Sequence, residues 1–265
     1  MAFNQTDEIQ KIQAVVEGLR QSNSVLVITG AGLSADSGLP TYRGLGGLYN
    51  DKTTEDGLAI EEALSGPVFK NNPDITWKYL HQIENACRGA TFNRGHQALA
   101  EMESHFDRFL ILTQNIDGFH THAGSTNVIE IHGNLYTLTC TGCQHQFSVD
   151  DYAALSATPL CDRCGAILRP QVVLFEERLP ENAIGRLEQE LRQSFETVIT
   201  IGTSSHFPYI LQPLIHARQN GDFTVEINPA RTKVSEWVDE KLSTPAAEAL
   251  DCIWSQLKVS SRGSL

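Results

Sequence analysis

Short apolar runs recur along this chain and alternate with helical patterns. The first run, at 24–29, is rich in β-branched residues and ends at Gly30 and Gly32. Similar runs follow at 109–112, 128–131, 172–175, 198–201 and 223–227, and helical periodicity occurs at 7–20, 93–106, 181–194, 208–219 and 245–257. Strands that are apolar on both faces are typical of parallel sheets covered by helices. The alternation therefore predicts an α/β fold with a doubly wound parallel sheet.

Two stretches interrupt the alternation. Residues 41–91 are glycine-rich and then polar and helical, and residues 136–170 hold four of the cysteines. We interpret both as insertions that form a smaller second domain, which a length of 265 residues allows. The larger domain then comprises 1–40, 92–135 and 171–257, and residues 258–265 form a loose tail.

Four of the six cysteines form two CxxC pairs that are separated by 17 residues. The spacing of Cys140, Cys143, Cys161 and Cys164 matches a four-cysteine zinc site. Four thiolates leave no coordination position for water, so the pattern predicts one structural zinc ion. Gly142 and Gly165 are expected to give the two knuckles conformational freedom. The alternative, a pair of redox CxxC motifs, lacks the strand pattern that usually precedes them.

A glycine loop follows the first apolar run, with Gly30, Gly32 and Ala35 at the spacing of the G-x-G-x-x-A dinucleotide motif. The acidic residue that should end a second strand about 20 residues later is missing. The loop therefore favours a dinucleotide but not hydride transfer. An ordinary strand-to-helix turn is the alternative interpretation.

Polar side chains follow two further apolar runs. TQNIDGFH comes after 109–112 and contains Gln114, Asn115 and Asp117, and IHGN contains His132. Because parallel strands place their carboxyl ends on one rim, these side chains should converge. An amide, a carboxylate and a histidine together suit general-base chemistry, although each alone is typical of a turn.

The formal net charge is −12, which argues against a direct nucleic-acid partner. The first residues show no basic stretch followed by an apolar run, and no window is long and apolar enough for a membrane span. We expect a cytoplasmic protein without a membrane partner, and a monomer.

Taken in order, GAGLSADSGLPTYRG, TQNIDGFH, IHGN, the CxxC pairs, IGTS and INP resemble the sirtuin family along nearly the whole chain. The resemblance implies a Rossmann-like domain joined to a smaller zinc-ribbon and helical module. NAD and an acyl-lysine protein or peptide would meet in the cleft between them. The implied activity is removal of lysine acyl groups with consumption of NAD, which yields nicotinamide and O-acyl-ADP-ribose.

The resemblance also assigns site residues. His132, Asn115 and Asp117 would be catalytic, with His132 as the general base that helps a ribose hydroxyl to attack. NAD would be bound by Gly30, Ala31, Gly32, Ser34, Ala35, Arg43, Gln114, Asn115, Asp117, Gly202, Thr203, Ser204, Asn228 and Pro229.

Three positions depart from the family pattern. In the peptide-binding segment of Val173 and Phe175, Glu176 stands where the family usually has glycine. Tyr42 replaces the more frequent phenylalanine before Arg43. Desuccinylase-like members carry Tyr-x-x-Arg on a helix, whereas Tyr79 is followed by Gln82 at the matching place. Loss of the guanidinium predicts neutral acyl groups over succinyl, although the nearby Arg88 could compensate.

Two other functions remain open at this point. A mono-ADP-ribosyltransferase would pass the ribosyl group to a protein side chain or water, but it has less need of His132. A noncatalytic zinc-ribbon binding protein would use the polar loops only as structure.

Overall fold

The computed structural model describes residues 5–40 and 53–260. Its helices are α1 (Gln5–Arg20), α2 (Ala31–Ala35), α3 (Ile60–Ala63), α4 (Gly66–Asn71), α5 (Pro73–Cys87), α6 (Arg94–Glu103), α7 (Phe119–His122), α8 (Glu181–Glu190), α9 (Pro208–Asn220) and α10 (Ala246–Ser260). Its strands are β1 (Ser24–Thr29), β2 (Arg108–Thr113), β3 (Val128–Glu130), β4 (Gly133–Cys140), β5 (Gln146–Ser148), β6 (Leu168–Val172), β7 (Thr197–Ile201), β8 (Phe223–Ile227) and β9 (Glu240–Leu242).

The larger sheet contains six strands in the order β3-β2-β1-β7-β8-β9. Every neighbouring pair is parallel, so the predicted doubly wound sheet is confirmed. The chain leaves β1 toward β2 on one side and resumes at β7 on the other. Ligands of such folds bind at the carboxyl ends of the strands beside this switch point, because the connecting loops diverge there.

Helices cover both faces of this sheet. Along β1 the side chains alternate, so that Val25 and Val27 join the core cluster that includes residues of α1, α6 and α10. Leu26 and Ile28 point the other way, into the cluster formed with α8 and α9. All four are completely buried, which explains why the sequence run is continuously apolar.

A second sheet of three antiparallel strands, in the order β5-β4-β6, belongs to the smaller module. Its core cluster joins residues of α5 to residues of β4 and β6. Trp77 of α5 is fully buried and donates its indole N–H to the Leu168 carbonyl at 2.9 Å. The division of the chain into domains stays a prediction.

The apolar run at 172–175 is not a strand of the larger sheet, so that prediction was wrong. Val172 ends β6, and the next residues pass between two loops: Val173 N–H donates to the His132 carbonyl, and Phe175 N–H to the Leu64 carbonyl, each at 2.9 Å. Val172 and Leu174 of this run pack in the core of the smaller module. Among the described residues, no helix has the length and apolar character to cross a membrane.

Candidate functional site

The glycine turn after β1 packs directly against the turn after β7. Gly30 N–H donates to the Ile201 carbonyl at 3.0 Å, and Gly32 N–H donates to the Gly202 carbonyl at 2.9 Å. A β-carbon on Gly32 would lie 2.6 Å from Gly202 Cα, and one on Gly202 would lie 2.5 Å from Leu33 N. Gly202 also has φ +58°. The glycines are therefore required by contact between the two turns, and this contact leaves a backbone-lined rim at the switch point.

Three buried polar side chains form a network beneath the glycine turn. Asn115 Nδ2 donates to Ser34 Oγ at 3.0 Å and to the Gly30 carbonyl at 3.1 Å. Ser34 Oγ donates to Asp117 Oδ2 at 2.6 Å, and Phe119 N–H donates to Asp117 Oδ1 at 3.0 Å. Burial raises the pKa of Asp117 despite these donors. The structure thus brings Asn115 and Asp117, two of the residues that the sequence predicts to converge, into contact with Ser34.

Gln114 connects the ends of four strands. Its backbone N–H donates to the Thr29 carbonyl at 3.0 Å, and its side chain donates to Thr203 Oγ1 at 2.7 Å. Its own carbonyl oxygen lies 3.0 Å from His132 Nδ1. The loops after β1, β2, β3 and β7 therefore meet at one residue.

His132 is held as a neutral imidazole with a defined tautomer. Because the Gln114 carbonyl can only accept, Nδ1 carries the proton and Nε2 presents a lone pair. Burial lowers the pKa of His132, which favours the neutral form. The following Gly133 has φ +79°, and a β-carbon there would lie 1.7 Å from the Gln171 carbonyl oxygen. Only glycine fits at that position, so the backbone fixes the direction of the histidine.

Nε2 of His132 is 2.6 Å from the hydroxyl oxygen of Tyr209 in α9. The imidazole also meets the rings of Phe207 and Tyr209 edge-on, with centroids 6.0 Å away in both cases. Neither aromatic residue was predicted as part of the site, because the sequence shows them only as the beginning of a helix about 75 residues after His132.

A second set of polar groups that was not predicted lies below the network. Thr29 Oγ1 donates to Thr113 Oγ1 at 2.8 Å and lies 2.9 Å from His120 Nε2. His120 packs edge-on to His96 at 5.0 Å, and both are buried. Burial lowers the pKa of His96 to about 4 and that of His120 well below its usual range. These histidines are neutral supports of the rim, and no local sequence pattern distinguishes such a role.

The loops after β7 and β8 form the far end of the rim. Asn228 Nδ2 donates to the Thr203 carbonyl at 3.1 Å, and Gly202 N–H donates to the Ile227 carbonyl at 2.9 Å. Thr203 is buried, whereas Ser204 and Pro229 are exposed beside it. Ala31 and Ala35 lie half-buried in α2. Arg43 and Tyr42 lie outside the described residues.

The four cysteines of the two CxxC pairs converge in the smaller module. All four Sγ atoms lie within 4.8 Å of one another, and the Cys140–Cys164 and Cys143–Cys161 pairs are 3.3 and 3.8 Å apart. Zinc bound by four thiolates at about 2.3 Å requires sulfur separations of roughly 3.8 Å. Hydrogen bonds from the backbone N–H groups of Cys143 and Gly142 lower the pKa of Cys140 to about 6. The donors therefore fit a closed zinc site.

The two knuckles obtain their turns differently. Gly165 has φ +75°, as expected for the second knuckle, but Gln144 is the left-handed residue after the first, at φ +58°. Gly142 is needed for another reason, since a β-carbon there would lie 2.8 Å from Ala166 Cβ.

The two predicted acyl-contacting residues both lie on α5 but in different environments. Tyr79 is buried, and its hydroxyl donates to Asp56 at 2.5 Å. Gln82 is exposed and lines a surface cavity of about 630 Å³. Arg88 pairs with the buried Glu84 through two hydrogen bonds. The guanidinium that could have compensated for Gln82 is therefore already engaged.

Glu176 adopts the left-handed backbone that its family position suggests, with φ +67°. Hydrogen bonds hold the residues on both sides of Glu176. Gly66 N–H donates to the Phe175 carbonyl at 2.9 Å, and the carboxylate of Glu177 accepts a hydrogen bond from each of two guanidinium nitrogens of Arg169, at 2.8 and 2.9 Å. Val173 is half-buried and Phe175 is exposed, with its side chain 41% accessible. A glutamate thus occupies a conformation that favours glycine.

This chain is similar to proteins of one known family. The Sir2 family matches residues 30–208. NAD-dependent protein deacylase 2 of Pseudomonas aeruginosa is 48% identical over 95% of this chain and 99% of its own length. NAD-dependent protein deacylase of Aquifex aeolicus is 36% identical over 89% of this chain and 95% of its own.

Solved structures show the same fold. A Sir2 homologue complex with NAD has a TM-score of 0.83 and 34% identity, and the match covers 94% of each chain. A Sir2 complex with a p53 peptide and NAD⁺ has a TM-score of 0.79 and 26% identity, and covers 94% of this chain and 99% of that one.

Proposed function

This chain belongs to the Sir2 family, and we propose that it is an NAD-dependent protein deacylase that releases acyl groups from lysine side chains. The observation that carries the proposal is the position of Gln114. This residue is hydrogen-bonded at once to Thr29 at the end of β1, to Thr203 and to His132. This contact places a neutral base beside a rim that suits a dinucleotide.

The residues of the rim fit NAD by shape and by chemistry. When bound, NAD supplies a ribose carbon with nicotinamide as its leaving group. Gly32 and Gly202 keep the rim free of side chains. Asp117 presents a buried carboxylate whose orientation is fixed by hydrogen bonds from Ser34 and Phe119, which suits recognition of an amide. Asn115 orients Ser34 in the same network.

His132 is suited to remove a proton from a substrate hydroxyl. The Gln114 carbonyl fixes the Nδ1 proton, so the base acts through Nε2. Because its pKa is lowered, the imidazole remains in the basic form throughout the physiological range.

The zinc-binding cysteines stabilise the smaller module and do no chemistry in this scheme. Cys140 and Cys161 belong to the same apolar cluster as α5. A metal bound there would therefore fix β4 and β6, which flank His132 and the peptide segment.

We propose that the acyl group is acetyl or another neutral group in preference to succinyl. Glu84 of α5 is fully buried. The pKa of Tyr136 is raised, first by burial of the phenol and then by nearby negative charges that include Glu84 and Asp117. Tyr136 therefore lies within electrostatic reach of both carboxylates. A succinyl carboxylate would be repelled there, and Arg88 is bound to Glu84.

The test is a panel of matched peptides with acetyl, butyryl and succinyl lysine, incubated with NAD and followed by mass spectrometry of O-acyl-ADP-ribose. We expect acetyl turnover to exceed succinyl turnover. Glu84→Gln should raise the succinyl-to-acetyl ratio on the order of tenfold, because it frees Arg88. Glu181→Gln, which removes an exposed carboxylate on α8, is the matched control.

Two results would contradict the proposal. Faster desuccinylation than deacetylation by the unaltered protein would overturn the acyl preference. Covalent labelling of unacylated protein from radiolabelled NAD, with no O-acyl-ADP-ribose, would favour ADP-ribosyl transfer instead.

A further inference from the structure

The basic nitrogen of His132 is occupied by a side chain of this protein. Tyr209 Oη lies 2.6 Å from Nε2, while Nδ1 faces the Gln114 carbonyl. Since Nδ1 carries the proton, Nε2 can only accept, and the phenol must be the donor. Under the proposed function, the substrate hydroxyl that loses its proton needs the same lone pair.

The phenol is well placed to hold this position. Tyr209 is the second residue of α9, and its ring stacks on Phe207 with centroids 5.4 Å apart and planes 11° apart. Burial raises the pKa of Tyr209 well above its usual range, so the hydroxyl keeps its proton. Among the described residues, the imidazole also contacts the Phe207 ring and the Gln114 carbonyl, and neither of them titrates.

The segment that carries Tyr209 is also part of the rim. Thr203 receives the Gln114 side-chain hydrogen bond, and only residues 204–207 separate it from the start of α9. Ser205 in this short loop has φ +53°, and its buried hydroxyl lacks a hydrogen-bond partner among the described residues. A ligand that contacts Thr203 therefore acts within six residues of Tyr209.

We propose that Tyr209 caps the general base His132 in the free protein and gives up Nε2 to the substrate hydroxyl when NAD binds. Tyr209 is thus a positioning residue that holds the imidazole in its productive tautomer and direction until substrate arrives. The inference rests on the proposed function, because it assumes that a substrate hydroxyl is the proton donor.

Tyr209→Phe tests the cap because it keeps the stacked ring and removes only the hydroxyl. The hydroxyl stabilises the neutral imidazole, so its loss should raise the pKa of His132 by about half to one pH unit, measured by NMR titration of ¹⁵N-labelled histidine. The KM for NAD in deacylation should fall about 2- to 10-fold, since substrate no longer competes with the phenol, and kcat should not fall. Tyr152→Phe is the matched control, because it removes a buried hydroxyl that is hydrogen-bonded to the Leu135 carbonyl. It should change neither the pKa of His132 nor the KM for NAD.

Two outcomes would overturn the cap. One is an unchanged pKa of His132 in Tyr209→Phe. The other is a lower kcat with unchanged KM, which would mean that the phenol takes part in the chemistry. If neither the unaltered protein nor the variant removes acyl groups, the proposed function fails, while the NMR titration still decides whether Tyr209 donates to His132.

Discussion

Replacing Glu176 with glycine should stabilise this protein. Glu176 has φ +67°, and a left-handed conformation costs a residue with a β-carbon about 1–2 kcal/mol. Glycine avoids that cost but loses about 0.5–1 kcal/mol more backbone entropy on folding. The difference between the two midpoints predicts that Glu176→Gly raises the free energy of unfolding by about 0.75 kcal/mol.

The assay is thermal unfolding followed by circular dichroism, and a chain of this size should show a Tm increase of about 1–4 °C. Glu176 is exposed, and no hydrogen bond or ion pair of its side chain occurs among the described residues, so loss of its charge should matter little. Glu176→Ala is the matched control, because it removes the carboxylate but keeps the β-carbon. Equal stabilisation by alanine would refute the backbone explanation, as would destabilisation by glycine.

Two further predictions concern the zinc site and the buried carboxylate. Chelation of zinc, or Cys161→Ser, should lower the Tm and expose Trp77 to fluorescence quenchers, because the cysteines belong to the same cluster as α5; an unchanged Tm after verified metal removal would contradict a structural role. The folded pKa of Asp117 is raised above its usual value of 3.8, so its ionisation costs stability progressively as pH rises from about 4 through the raised pKa. The Asp117→Asn variant does not ionise at this position and so does not lose stability in this way. Urea unfolding at several pH values should therefore show the variant becoming more stable relative to the unaltered protein as pH rises from about 4 through the raised pKa. A stability difference that stays constant with pH would show that the pKa of Asp117 is not raised.

The sequence was sufficient to predict the larger sheet because its strands are buried on both faces. β1, β2, β7 and β8 each coincide with a predominantly apolar run. β9 was missed because Glu240–Leu242 is short and polar, and it is recruited only by pairing with β8. The prediction of a strand at 172–175 was wrong because Val172 and Leu174 are buried in the smaller module, which gives an apolar pattern like that of a central strand.

The site was predictable where residues follow their own strand and not where contacts are long-range. Asn115, Asp117 and His132 lie at strand ends, so parallel topology alone brings them to one rim. The mutual contact of Gly32 and Gly202 joins turns 170 residues apart, and local spacing suggested only a phosphate loop. Tyr209 and the histidine pair His96 and His120 are likewise positioned by tertiary packing, for which no short motif exists.

The proposed function requires that the loops beginning at Gly30, Gln114 and His132 surround the NAD ribose that carries nicotinamide. The most direct test is His132→Ala, assayed with NAD and an acetyl-lysine peptide for both deacetylation and exchange of labelled nicotinamide into NAD. We predict that deacetylation falls by a factor on the order of 10² or more, the usual effect of removing a positioned base, while nicotinamide exchange continues. Deacetylation at the rate of the unaltered protein would contradict the claim.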